Sequence, residues 1–201
     1  MSTRRLAPDQ PATFAFTAEN LAWAKDRIAK YPDGRQASAI VPLLWRAQEQ
    51  QGGYVTEPML RYLGDMLGLS YIRVYEIATF YTMFNLAPVG RHLIQVCTTT
   101  PCMLRGSDEI LDACKKHIGP KPQTVYGEGL WSWMEVECLG ACVNAPVVQI
   151  GKDFYEDLDG PATERLLDDL KAGRAPKPGP ANGRFSSEPL GGATTLKEVK
   201  A

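Results

Sequence analysis

The chain has 201 residues, 44% of them hydrophobic, with 22 lysines and arginines against 23 aspartates and glutamates. That length allows one large domain or two small ones with a real core, and the near-cancelling charge leaves no electrostatic footprint for nucleic acid or an anionic membrane surface. No apolar run approaches the roughly 18 residues that span a bilayer, and the start MSTRRLAPDQPATF lacks the apolar stretch of a secretory signal, so the expectation is a soluble, unexported chain without direct membrane insertion.

Residues 1–16 read as an N-terminal arm, and residues 17–88 as helix after helix. The first helix is predicted from Thr17, whose hydroxyl can cap free backbone N–H groups, to about Lys30, with Phe16 placed to staple onto Leu21. A second follows in SAIVPLLWRAQEQQGG, with Ile40, Val41, Leu44, Trp45 and Gln48 on one side, Pro42 in its first turn and Gly52 and Gly53 at its end. Thr56 and Pro58 open a third, striped by Leu60, Leu63 and Leu67 and closed by Gly68. Ser70 caps a fourth, with Leu69 and Val74 as its staple. Four short helices on short links make a small bundle.

After the linker NLAPVGR the period changes, and residues 89–173 read as a second domain. HLIQVCT is a buried strand, MLRGSDEILDACKKHIG a helix ending at Gly119, and LWSWMEVEC a second strand. VVQIGKDFYEDL reads as two strands around a Gly-Lys-Asp turn, and PATERLLDDLKAG as a last helix with Pro161 early and Gly173 late. The order βαβββα describes a small α/β sandwich. Residues 174–201 are too poor in large apolar groups to fold alone and form a tail or an arm.

All five cysteines fall between Cys97 and Cys142. In a reducing compartment a disulfide framework is not expected, so metal binding or catalysis is their default use. Cys97 and Cys102 are separated by four residues in CTTTPC, and Cys138 and Cys142 by three in CLGAC. Cys97 ends a predicted strand, and Cys102 starts a predicted helix, whose N-terminus favours thiolate over thiol. Cys138 ends another strand, and Gly140 lets its loop bend so that backbone N–H groups face a sulfur. Both pairs are expected at one edge of the sheet, where four thiolates suit a metal. Spacing alone leaves two readings open: tetrahedral zinc, and an iron–sulfur cluster in a wider cage. A dithiol oxidoreductase fits less well because neither pair is C-x-x-C, and Rieske ligation would need histidines that the pairs lack. Cys114 lies at helical spacing with Ile110, Leu111 and Ile118 and reads as a small core hydrophobe, and His117 as a solvated residue near that helix's end. GEGLWS precedes a strand instead of opening a helix, so no dinucleotide site is expected on this chain. Trp45, Trp131 and Trp133 read as packing residues.

With the cysteines placed, the segments YPDGRQASAIVPLLWRAQEQQGGYV, VYEIATFYTMFNLAPVGRHLIQVC, TTTPCMLRG and WMEVECLGACVNAPVVQIGKDFYEDL closely resemble the 24-kDa subunit family of respiratory NADH:quinone oxidoreductase, complex I. The resemblance spans roughly residues 14–172. It implies an α+β chain: a small N-terminal helical bundle, then a thioredoxin-like α/β [2Fe-2S] ferredoxin domain and an extended C-terminal tail. By the family pattern, Cys97 and Cys102 ligate one iron of a [2Fe-2S] cluster, and Cys138 and Cys142 the other. The implied role is exchange of one electron with the FMN of a neighbouring 51-kDa subunit, where NADH also binds, within an assembly that includes a 75-kDa iron–sulfur subunit. The implied location is the peripheral arm on the cytoplasmic side of a bacterial inner membrane. A start without a long Arg- and Ser-rich presequence favours a bacterial origin. NGRFSSEPLGGATTL resembles the C-terminal extension of mitochondrial and alphaproteobacterial members, and is expected to lie along a partner or to be disordered. The alternatives are the equivalent subunit of an NAD-linked formate dehydrogenase or NAD-reducing hydrogenase, and a four-cysteine zinc adaptor without redox chemistry.

Overall fold

The computed structural model describes residues 4–189, 191–192 and 194–195. Backbone contacts divide the chain into two compact units, Met1–Val89 and Gly90–Ala201.

The first unit holds α1 (Ala18–Ala29), α2 (Ile40–Gln50), α3 (Glu57–Leu67) and α4 (Tyr71–Phe80), with a 3-10 turn, Gln36–Ala39, leading into α2. Thr17 caps α1 as predicted: its hydroxyl accepts from the Asn20 N–H at 3.2 Å. Phe16 is buried and meets Phe14 and Tyr62 edge to face, at 5.6 and 5.7 Å between ring centroids. The buried stripe of α2 is Ile40, Leu43, Leu44, Ala47 and Gln48, which differs from the expected face. Leu43 and Ala47 take the inner flank, and Trp45, 39% exposed, lies outside. Both flanks of Leu44 satisfy a 3.6-residue period, so periodicity could not choose between them. Gln48, on the inner side as expected, is satisfied there: its amide donates to the Met83 carbonyl at 3.1 Å and accepts from the Asn85 N–H at 2.8 Å. In α3, Met59, Leu60, Leu63 and Gly64 are buried, and Gly68 closes the helix in the left-handed conformation. Thr56 and Ser70 occupy N-cap positions with extended backbones, but neither side chain makes a capping bond. Gln10 from the N-terminal arm serves α3 instead, accepting from the Glu57 N–H at 2.7 Å. Arg4 acts at the C-terminus of α4, donating to the carbonyls of Thr79, Tyr81 and Phe84.

The second unit holds β1 (His92–Cys97), α5 (Thr100–Leu104), α6 (Ser107–His117), β2 (Trp131–Val136), β3 (Val148–Ile150), β4 (Asp153–Glu156), α7 (Gly160–Lys171) and β5 (Gly179–Pro180). The strands form one sheet in the order β2-β1-β3-β4-β5. β1 runs parallel to β2, with Ile94 opposite Trp133 and Cys97 opposite Val136, and antiparallel to β3. β3 and β4 form the expected hairpin, turning at Gly151. The expected single helix after β1 is two helices, because Gly106 takes a φ of +100° and breaks the hydrogen-bond ladder between α5 and α6. Ile94, Val96, Trp131, Trp133, Val148, Ile150 and Tyr155 of the sheet share one core with Ile110, Leu111 and Cys114 of α6 and Leu166, Leu167 and Leu170 of α7. Trp133 is 2% exposed, and its indole N–H donates to the Gly119 carbonyl at 2.9 Å, so both its ring and its polar tip are satisfied. The sheet also gains a strand that composition gave no sign of: β5 pairs in parallel with β4 from beyond α7. Of the tail segment singled out in the sequence, residues 190, 193 and 196–201 lie outside the described residues.

Candidate metal centre

Because β1 and β2 are parallel neighbours, their C-terminal ends lie together, and the chain leaves each through a cysteine loop. Cys97 is the last residue of β1, and Cys102 sits in the first turn of α5, which Thr99 precedes in extended conformation. The second loop starts two residues after β2 and runs from Cys138 through Gly140 into a 3-10 turn, Cys142–Asn144. The four sulfurs thus gather at the shared end of two strands; β1 is an interior strand, flanked by β2 and β3. Cys97 and Cys102 are buried, packed with Ala145 and Val147, and Cys138 and Cys142 are exposed. All five cysteines are free thiols. Cys114 is fully buried in the core under the sheet, away from this cluster of sulfurs, and burial pushes its thiol up to about 12.

Polar groups in both loops are aimed at the sulfurs. The Thr99 hydroxyl lies 3.2 Å from the Cys97 sulfur, and the Gly140 N–H donates to the Cys138 sulfur at 3.4 Å. The Gly140 bond requires a φ of +83°, which a side chain at that position would strain. The Cys138 and Cys142 sulfurs are 3.3 Å apart. Burial raises the Cys97 thiol, but hydrogen bonds from the Thr99 hydroxyl, the Thr99 N–H and the Leu139 N–H outweigh it, and the net shift is downward. The Leu139 bond reaches from the second loop to the first, so the two pairs belong to one site. Cys102 is pushed up to about 12, first by burial and then by Cys97 beside it, against a hydrogen bond from the Val147 N–H. In the outer pair, the Gly140 N–H and then Cys142 lower Cys138, and the hydrogen bond with Cys138 raises Cys142. Each pair therefore contains one thiol shifted down and one shifted up, and metal binding, which displaces the protons still held, is favoured as pH rises.

This arrangement fits a two-iron cluster better than a single ion. The sulfurs come as two pairs, one seated and one exposed. A cluster of net negative charge is also served by N–H and O–H donors converging on its sulfurs.

The sequence singled out the four cysteines and Gly140, but not Thr99, which had a readable signal: a hydroxyl residue two positions after a candidate ligand and just before a helix. His117 pairs with Glu164 of α7 at 3.5 Å, and His92 packs against the Trp131 ring at 5.2 Å; neither approaches the sulfurs. Trp131 and Trp133 are core residues.

Comparison with known proteins gives a consistent result. The family model of the thioredoxin-like [2Fe-2S] ferredoxins matches residues 24–171. An NADH-quinone oxidoreductase subunit of Rhizobium meliloti (strain 1021) is 54% identical over 202 aligned residues, covering 98% of this chain and 73% of that protein. The corresponding NADH-quinone oxidoreductase subunit of Rickettsia bellii (strain RML369-C) is 54% identical over 158 residues, covering 79% of this chain and 95% of its own. Among solved structures, an NAD+-reducing [NiFe]-hydrogenase in its H2-reduced state shares the fold, with a TM-score of 0.57 at 19% identity. The match covers 67% of this chain and 23% of the hydrogenase chain.

Proposed function

This chain belongs to the family of thioredoxin-like [2Fe-2S] ferredoxins, and from that premise we propose that Cys97, Cys102, Cys138 and Cys142 hold a [2Fe-2S] cluster in the electron-transfer subunit of an NADH:quinone oxidoreductase. Cys97 and Cys102 take one iron and Cys138 and Cys142 the other. The observation that carries this is the meeting of both cysteine pairs at the shared end of β1 and β2, with hydrogen-bond donors turned toward the sulfurs. Bound there, the cluster supplies storage for one electron beside a flavin. The chain's own residues do the rest: the inner pair is seated in the protein, the outer pair faces outward, and Thr99, Leu139, Gly140 and Val147 stabilise negative charge on sulfur. FMN and NADH sit on a 51-kDa neighbour, a 75-kDa iron–sulfur subunit completes the module, and the whole lies in the peripheral arm on the cytoplasmic side of a bacterial inner membrane. Among the described residues no helix is long and apolar enough to cross a membrane, so attachment would come through partners.

The identity of 54% to two NADH-quinone oxidoreductase subunits, over nearly the whole chain in one case, favours this reading over a hydrogenase module, for which only the fold speaks, and over a formate dehydrogenase module. Purified protein is expected to be red-brown, with about two irons and two acid-labile sulfides per chain and a rhombic paramagnetic signal on reduction. A colourless chain with one zinc and no sulfide would overturn it. Copurification with a nickel or molybdenum subunit would instead select the hydrogenase or formate dehydrogenase reading.

A smaller effect is expected at Thr99. A hydroxyl donating to a cysteine sulfur favours the more negative, reduced state. Thr99→Val, which keeps the shape and removes the donor, should therefore lower the midpoint potential without loss of iron. A redox titration followed by the paramagnetic signal measures this, and an unchanged or raised potential contradicts it.

A further inference from the structure

We propose that Arg184 is a positioning residue for the second cysteine loop, making the C-terminal arm part of the cluster site; this rests on Cys138 and Cys142 being ligands. After α7 the chain returns to pair β5 with β4, and the Ala181 N–H donates to the Glu156 carbonyl at 2.8 Å. This delivers Arg184 to the turn that contains Cys142. The guanidinium grips both carboxylate oxygens of Asp157, with Nε to Oδ2 at 2.7 Å and Nη2 to Oδ1 at 2.8 Å. The two Nη2 hydrogens are shared among three acceptors, the others being the Val143 carbonyl at 2.8 Å and the Asn144 Oδ1 at 2.6 Å, and Nη1 donates to the Glu188 carbonyl at 2.9 Å. The Arg184 and Asp157 side chains are 9% and 7% exposed, so their ion pair is sheltered from water, whereas the bond to the Val143 carbonyl lies at the surface.

Val143 and Asn144 are the two residues that follow Cys142 and complete its 3-10 turn. Asn144 is buried and serves as the hub: its amide donates to the Glu156 carboxylate and to the Ser186 carbonyl, and its own carbonyl accepts from the Asp157 N–H at 2.7 Å. The loop that carries the exposed cysteine pair is thus tied on its C-terminal side to β4, to the residue after β4, and to the arm. A planar five-donor fork can span a carboxylate, a backbone carbonyl and a side-chain amide at once, which a lysine ammonium cannot. Arg184 and Asp157 offset each other's charge, so the brace acts through geometry more than through field.

The test uses the full chain with every cysteine retained. Arg184→Lys keeps the charge and removes the fork. The pair Arg184→Gln with Asp157→Asn removes both charges together, so that no lone charge stays buried if the single variant fails to fold. In both, loss of iron from the reconstituted chain to a chelator should quicken about 10- to 100-fold, as when a partner that orients a metal ligand is removed, and the reduced paramagnetic spectrum should broaden. In the metal-free chain, amide exchange across residues 139–145 should quicken, while Ile94 and Val148 in the sheet core exchange as before. Unchanged chelation and unchanged exchange at 139–145 would overturn the brace. A parent chain that takes up no iron would defeat the cluster reading itself, and the exchange measurement would still decide on Arg184.

Discussion

Replacing Cys102 or Cys138 by alanine is expected to yield a chain with little iron and no red-brown colour, whereas Cys114→Ala retains both. All three are free thiols in the same unit, so the contrast depends on position alone. Cys102 is 1% exposed in the first turn of α5, and Cys138 opens the exposed loop after β2. They lie on opposite pairs, so each deletion leaves one iron of the cage with a single protein sulfur. Alanine is the better substitute than serine because it offers no oxygen ligand. With its thiol pushed up to about 12, Cys102 is neutral in the metal-free chain, so Cys102→Ala removes no charge and costs only the packing of one buried sulfur, on the order of 1 kcal/mol. Cys114→Ala removes one sulfur from the packing of α6 against the sheet, which costs on the order of 1 kcal/mol of stability and no metal. Iron and sulfide analysis of the three variants decides the matter: iron lost from Cys114→Ala, or retained in full by Cys102→Ala, would mean that the ligand set is wrong.

The second large effect is expected at Gly90, just before β1. A Cβ there would lie 2.2 Å from the Trp131 carbonyl carbon and 2.6 Å from the Ser132 nitrogen, both backbone atoms that have no rotamer to escape into. The Gly90 N–H also donates to the Ser132 hydroxyl at 2.8 Å, and Ser132 is 1% exposed. Gly90→Ala must therefore push the start of β2 away from β1, and overpacking against main chain places the cost at about 3 kcal/mol or more. Denaturant unfolding followed by the near-ultraviolet signal of Trp131 and Trp133 should show a lower midpoint, and one equal to the parent's would contradict the close approach. Because Cys97 and the Cys138 loop are aligned by this same strand pair, the variant should also take up less iron.

These positions show what the amino-acid order made legible. The two cysteine pairs, their loops at strand ends and the left-handed Gly140 could be read locally, since each depends on residues within a few positions of one another. The helices of the first unit were readable from their spacing and from Thr17 and Gly68, but the inner face of α2 was not, because Val41 and Trp45 fit the same period as Leu43 and Ala47. The break at Gly106 was hidden by an apolar pattern that runs through both α5 and α6. β5 is two residues long and contains a proline, below any strand signal, and it exists only because β4 presents an open edge. Arg184 lies in a segment dominated by Pro, Gly and Ser, and nothing near it in sequence marks Asp157 or Asn144 as its partners. Side chains that converge from distant segments leave no local period behind.

The placement of Arg184 also bears on the order in which the protein is made. Synthesis runs from the N-terminus, so all four sulfurs have left the ribosome well before the residue that steadies their outer loop. An unfinished or proteolytically shortened chain would carry every ligand and still hold its outer pair loosely, ready to give up whatever it had captured. Secure possession of the cluster would then fall to chains that extend at least as far as Arg184, and a cut anywhere between Cys142 and Arg184 would loosen the outer pair without removing a sulfur.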